Sequence, residues 1–143
     1  MTNSSSADSG TLKFSTKLRV RYAETDKMGF CYYGNYAAYF EVARVEALRE
    51  LGIVYKKLED NGILLPVTEL NIRYKQAAKY DDVLEIKTTI SKLQGTRIAF
   101  RYETWNEEGA LLNEADTTLV FMDATTRKPM AIPTFIQNAM NHE

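Results

Sequence analysis

Asp26 is the acid of this chain best placed to do chemistry. It lies in residues 21–36, RYAETDKMGFCYYGNY, a few positions ahead of a long amphipathic segment that reads as a helix. A helix start presents backbone N–H groups without intrahelical acceptors, and such groups can polarise a carbonyl oxygen. A carboxylate nearby can attack the polarised carbon or activate a water beside it. The single histidine, His142, stands next to the last residue, where a mobile tail is expected. No histidine-based triad or dyad and no multi-histidine metal site can be assembled from it. The chemistry must therefore run on carboxylates, hydroxyls and backbone, and thioester cleavage suits that set. A thiolate leaves with a conjugate-acid pKa of roughly 8.5, so little help from a general acid is needed. One preorganised oxyanion donor contributes on the order of 3 kcal/mol to the barrier. Direct attack through a mixed anhydride and base catalysis of water both place the acid in nearly the same position, and both stay open.

The remaining polar and aromatic residues have plainer readings. Taken alone, Asp26 itself would be a turn or capping residue. Glu24 reads as a solvated or ion-paired loop acid, and Cys31 as packing, since a thiol without histidine lacks its usual activator. Tyr32, Tyr36, Tyr39 and Phe40 could line an acyl pocket, yet aromatic residues on a helix beside a sheet more often build the core. Asp81-Asp82 reads as a turn rather than a metal-ligand pair, and no metal or cofactor is expected. Lys75, Lys79 and Arg97 could meet phosphate groups, but solvated surface charge is the simpler assignment.

What must position these residues is a chain of 143 residues with 45% hydrophobic content, enough for a single core. Eighteen basic residues against 19 acidic ones give a net charge of −1, with no basic block, which argues against nucleic acid as a partner. No apolar run reaches the roughly 20 residues that span a bilayer, and the first ten residues lack the features of a secretory signal. Residues 1–13 read as a disordered tail and 14–143 as one domain. One cysteine excludes an internal disulfide and fits a cytoplasmic location.

Residues 16–23 alternate through Leu18, Val20 and Tyr22, the period of a half-buried strand. Across 35–51, Ala38, Tyr39, Val42, Val45, Leu48 and Leu51 recur at helical steps, with Glu41, Arg44 and Arg49 turned away. Asn35 is the capping candidate and Gly52 the stop. Residues 63–74, interrupted by Pro66, read as a strand near a sheet edge. Residues 83–90 and 97–105 form a hairpin about Gln94-Gly95, and 111–122 follows the turn NEEG as a fifth strand. The C-terminal residues past Pro133 form a short helix or fray. One helix with short-turn antiparallel strands argues an α+β domain, and the Pro66–Tyr74 strand is the edge best suited to pair with a second subunit.

Three segments carry a resemblance: VRYAETDKMGFCYYGNYAAYFEVARVEAL at 20–48, PVTELNIRYKQAAKYDDVLEI at 66–86, and TTLVFMD at 117–123. Together they resemble the hotdog-fold acyl-CoA thioesterases of the 4-hydroxybenzoyl-CoA thioesterase type. The resemblance implies a five-stranded antiparallel sheet wrapped around one long helix, homodimers paired edge to edge, and often dimers of dimers. It implies hydrolysis of acyl-CoA, with Asp26 as catalytic acid residue, the backbone N–H of Tyr33 as oxyanion donor, and an active site at the subunit interface. Many relatives carry histidine where this chain has Tyr33, so any proton transfer by that histidine is absent here. A non-catalytic module binding an acyl thioester or a partner protein is the alternative. A hydratase on the same fold usually requires a catalytic histidine, by the same resemblance, and His142 is badly placed for it.

Overall fold

A computed structural model describes residues 12–141. In chain order the elements are β1 (Leu12–Arg19), α1 (Tyr36–Glu50), α2 (Tyr55–Asp60), β2 (Ile63–Leu64), β3 (Val67–Tyr74), β4 (Val83–Gln94), β5 (Arg97–Trp105), β6 (Leu111–Val120), β7 (Met122–Asp123) and α3 (Thr134–Asn141). Short 3-10 turns at Tyr22–Glu24 and Tyr33–Asn35 lie between β1 and α1. Five strands form one antiparallel sheet in the order β1-β4-β5-β6-β3, and α1 lies across its inner face, the hotdog architecture. β2 and β7 make a separate two-stranded pair.

Alternation explains the sheet. Ile98, Phe100, Tyr102 and Thr104 of β5 all point inward and are buried, while Arg97 and Arg101 are exposed. Phe40 of α1 stacks on Tyr102 with ring centroids 4.5 Å apart, joining the two layers. Gly52 closes α1 at a φ of +83°, a conformation costly for a side chain with a Cβ, and Gly52 and Ile53 return N–H groups to Arg49 and Leu48.

Several expectations need correction. The helix buries Tyr36, Tyr39, Phe40, Ala43, Arg44, Ala47 and Leu48, whereas Ala38 and Val42 face outward. The inner stripe carries the aromatics Tyr36, Tyr39 and Phe40 beside Ala43 and Ala47, and so buries more apolar area than the side with Ala38 and Val42 would. Arg44 is thereby carried inside, where it faces the Tyr55 and Tyr102 hydroxyls. Asn35 does not cap the helix; its amide donates back to the Glu24 carbonyl at 2.7 Å. The first strand begins at Leu12, with Leu12 and Lys13 opposite Ile90 and Thr89, and ends at Arg19, leaving Tyr22 in an exposed turn. The expected tail otherwise lies outside the described residues, as does His142. The segments read as single strands over 63–74 and 111–122 are each divided in two, with Pro66 in the first break. The short helix α2 was not anticipated, and past Pro133 α3 forms and buries Ile136.

β3 is an edge strand. Its residues Leu70, Ile72 and Tyr74 pair with the buried inward residues Thr117, Ala115 and Asn113, so they face the helix side too. Leu70 and Tyr74 nevertheless remain 41% and 50% exposed, because among the described residues no strand lies beyond β3 to cover them.

Candidate active site

The loop that follows the Tyr22–Glu24 turn closes on itself around Asp26. Thr25 and Cys31 form a bridge across its neck, and Asp26 N–H donates to the Phe30 carbonyl at 2.8 Å. The Asp26 side chain accepts the Met28 and Phe30 N–H groups on Oδ1, at 2.9 and 3.2 Å. A short acid followed by Gly29 favours this arrangement, since the carboxylate reaches its own downstream amides and Gly29 adopts a φ of +82°. Oδ1 is thus tethered, which leaves Oδ2 for a reacting partner.

The chain then enters α1 through the Tyr33–Asn35 turn. Asn35 N–H donates to Tyr32 and Tyr36 N–H to Tyr33, so the Tyr33 and Gly34 N–H groups stand at the start without intrahelical acceptors. Gly34 is where the Tyr32 ring folds over the backbone: a Cβ there would lie 2.6 Å from Tyr32 Cε2.

Asp26 and Tyr33 line the same cavity, of about 390 Å³, together with Phe30, Cys31, Tyr32, Tyr36, Tyr74, Lys75, Gln76 and Ala77. Tyr74 stands edge-on to both Tyr33 and Tyr36, at centroid distances of 6.5 and 5.8 Å, and the cavity wall is largely aromatic. The loop is held to the segment after β3 by Cys31 N–H to the Ala78 carbonyl at 2.8 Å and by the Phe30–Lys79 bridge. Sequence reasoning missed Tyr74, Gln76 and Ala77 as part of the site. They lie far from Asp26 in sequence, and their alternation signals only a strand. Of the four aromatics weighed, Tyr32 and Tyr36 reach the cavity, while Tyr39 and Phe40 are buried away from it.

Burial pushes the Cys31 thiol above its ordinary range, which keeps it protonated and supports a packing role. Burial likewise drives the Tyr36 hydroxyl well upward, so it remains a donor. Lys75 lines the cavity and approaches Glu114 at 3.8 Å; Lys79 and Arg97 do not line it. Asp81-Asp82 forms a turn, with Asp82 accepting the Lys79 N–H and Asp81 paired to Arg19 at 3.2 Å. Among the described residues no group of three or more His, Cys, Asp or Glu side chains could hold a metal ion, and no helix is long and apolar enough to cross a membrane.

An antiparallel sheet around one long helix, with a carboxylate beside the helix start, defines a hotdog domain of the thioesterase type. Residues 20–140 match the family model of the thioesterase-like superfamily, and the chain belongs to that family. It is 34% identical over 114 residues to the putative acyl-CoA thioesterase YneP of Bacillus subtilis, covering 80% of this chain and 83% of the relative. It is 36% identical over 123 residues to the acyl-CoA thioester hydrolase YbgC of Escherichia coli O157:H7, covering 86% and 92%. A solved DHNA-CoA thioesterase from Staphylococcus aureus superimposes with a TM-score of 0.87 at 38% identity, covering 91% of this chain and 89% of the other.

Proposed function

We propose that this protein hydrolyses acyl-CoA thioesters to the free carboxylic acid and coenzyme A. The observation that carries the reading is the shared cavity: Asp26, with Oδ2 unengaged, and Tyr33, whose N–H has no acceptor, line one aromatic-walled space. The thioester carbonyl oxygen lies against the Tyr33 N–H, which stabilises the oxyanion as the carbonyl carbon becomes tetrahedral. Asp26 takes the proton of an attacking water, or attacks first and forms an anhydride that water then opens. In either route the C–S bond breaks and the thiolate leaves without a general acid. Single turnover in ¹⁸O-water detects the anhydride route when water opens the anhydride at the Asp26 carbon, since unlabelled carboxylate oxygen then reaches the product, which the base route never allows. Coenzyme A as the thiol is supported by the names of the relatives.

The exposed inward row of β3 supports a homodimer joined edge to edge, and we extend that to a dimer of dimers. A second copy beside β3 would close the side of the cavity that Tyr74 leaves open. The single cysteine and the choice of substrate support a cytoplasmic location.

The test is thiol release from short, medium, long-chain and aromatic acyl-CoAs by the purified protein beside Asp26→Asn. Activity abolished by the substitution supports the reading. Equal rates for the two proteins remove Asp26 from the mechanism, and tight binding without thiol release across the panel favours a non-catalytic acyl-thioester-binding module instead.

A further inference from the structure

Asp26 and the Tyr33 N–H belong to separate local structures, each closed by its own hydrogen bonds, and neither fixes its distance to the other. The residue that ties them is Glu24. Its backbone carbonyl accepts the Tyr32 N–H at 2.8 Å and the Asn35 side-chain amide at 2.7 Å, one on each side of the Tyr33 donor. Its side chain is only 14% exposed. Oε1 accepts the Arg21 N–H and the Tyr39 hydroxyl, both at 2.8 Å, and Oε2 accepts Arg21 Nε and Nη2 at 3.1 and 2.9 Å. Tyr39 lies on α1, so one residue joins the stem of the Asp26 loop, the oxyanion turn and the body of the helix.

The chemistry of the four donors demands a carboxylate. Every group facing Glu24 is a donor, and an amide in its place would turn an NH₂ toward either the Arg21 fork or the Tyr39 hydroxyl. Burial raises the Glu24 carboxyl, but the hydrogen bonds from the Arg21 backbone, Tyr39 and the Arg21 guanidinium outweigh it and hold the group below its ordinary value. Burial, with the contacts to Cys31 and Glu24, pushes the Tyr39 hydroxyl far upward, so it stays a donor. Cys31 Sγ, 3.4 Å from that hydroxyl, packs its far side.

We propose that Glu24, clamped by Arg21 and Tyr39, is a positioning residue that sets the Asp26 carboxylate at working distance from the Tyr33 N–H. The inference rests on the thioesterase reading above. Glu24 touches no reacting atom in this scheme; it acts through the two groups that do.

The test uses Tyr39→Phe, which deletes one donor and keeps the ring, Glu24→Gln, and Glu24→Asp, which keeps the charge on a shorter arm. Turnover and KM are measured across pH, and amide hydrogen exchange is followed at the hydrogen-bonded amides of Phe30, Tyr32 and Asn35. A displacement near 1 Å can cost about a hundredfold in rate, so kcat is expected to fall about tenfold in Tyr39→Phe and about a hundredfold in Glu24→Gln, with KM within about twofold of the parent. Glu24→Asp also loses turnover, since reach rather than charge is what it lacks, and the acid limb of the rate profile keeps its position in all three. Exchange at the three amides rises. Parent turnover and parent exchange in Tyr39→Phe and Glu24→Gln would overturn the proposal, as would loss of the acid limb in Glu24→Gln, which would make Glu24 the titrating base. A parent protein that cleaves no thioester, with exchange still raised in the variants, sinks the hydrolase reading and leaves the clamp standing.

Discussion

The outer face of the sheet carries a groove of about 860 Å³, and the mouth between Asp26 and the helix tip a cavity of about 390 Å³. The larger has the charges and the smaller has the preorganisation. In the groove, Ser15 bonds Glu85 and the Lys87 ammonium sits 5.0 Å over the Trp105 ring, so strand side chains partner one another at the ends of flexible stems. None of this aims an unengaged group at a fixed point. At the helix tip the backbone does the organising: loop amides hold Oδ1 of Asp26, and the turn into α1 leaves the Tyr33 N–H without an intrahelical acceptor. Volume alone would select the larger region, whereas the proposed reaction depends on donors that need not reorganise rather than on space.

Four tests probe that contrast, and the first should have the largest effect. Asp26→Asn is expected to lower kcat by on the order of 10²–10⁴-fold in a thiol-release assay, the range of a lost general base, with the fold unchanged by circular dichroism. Leu70→Arg places a charge on the uncovered row of β3. Light scattering is expected to show a dimer for the parent and a monomer for the variant, and activity should fall with assembly if the second copy completes the cavity. A soluble, fully active monomer would refute the shared site.

Acid titration gives a smaller effect. The folded Glu24 carboxyl lies below its ordinary value of 4.5, so its contribution to stability is present above that pH and is lost as pH falls through the folded pKa. The melting temperature of Glu24→Gln should therefore lie below that of the parent near neutrality, and the gap should close as pH drops below 4.5. Smallest of all, Lys87→Ala and Arg101→Ala in the outer groove should change stability by no more than about 0.5 kcal/mol and leave turnover within about twofold. A large loss of activity there would reverse the ranking of the two regions.

Much of the architecture was legible in local patterns. The alternation through Ile98, Phe100 and Tyr102, the helical recurrence after Asn35 and the turn at Gln94-Gly95 are short-range signals, and each maps onto an element that formed. The α1 stripe was misjudged for an equally physical reason: two overlapping apolar stripes satisfy the same periodicity, and only packing against the sheet selects the one with Tyr36, Phe40, Ala43 and Ala47. Glu24 read as a solvated or ion-paired loop acid, and it is ion-paired, but its bond to Tyr39 spans 15 positions and a turn that no periodicity describes.

By itself the sequence determined the α+β class and the succession along the chain of the main strands and one long helix, and it singled out Asp26 ahead of that helix as the candidate acid, because periodicity and turn residues act over a few neighbouring positions. Only the tertiary structure decided that Tyr74 and the residues after it wall the cavity, that Arg44 goes inside, and that the inner row of β3 is left bare at an edge. Those outcomes depend on which distant segments hydrogen-bond side by side, and strand order is fixed by the packing of the whole sheet against the helix rather than by any local stretch of chain.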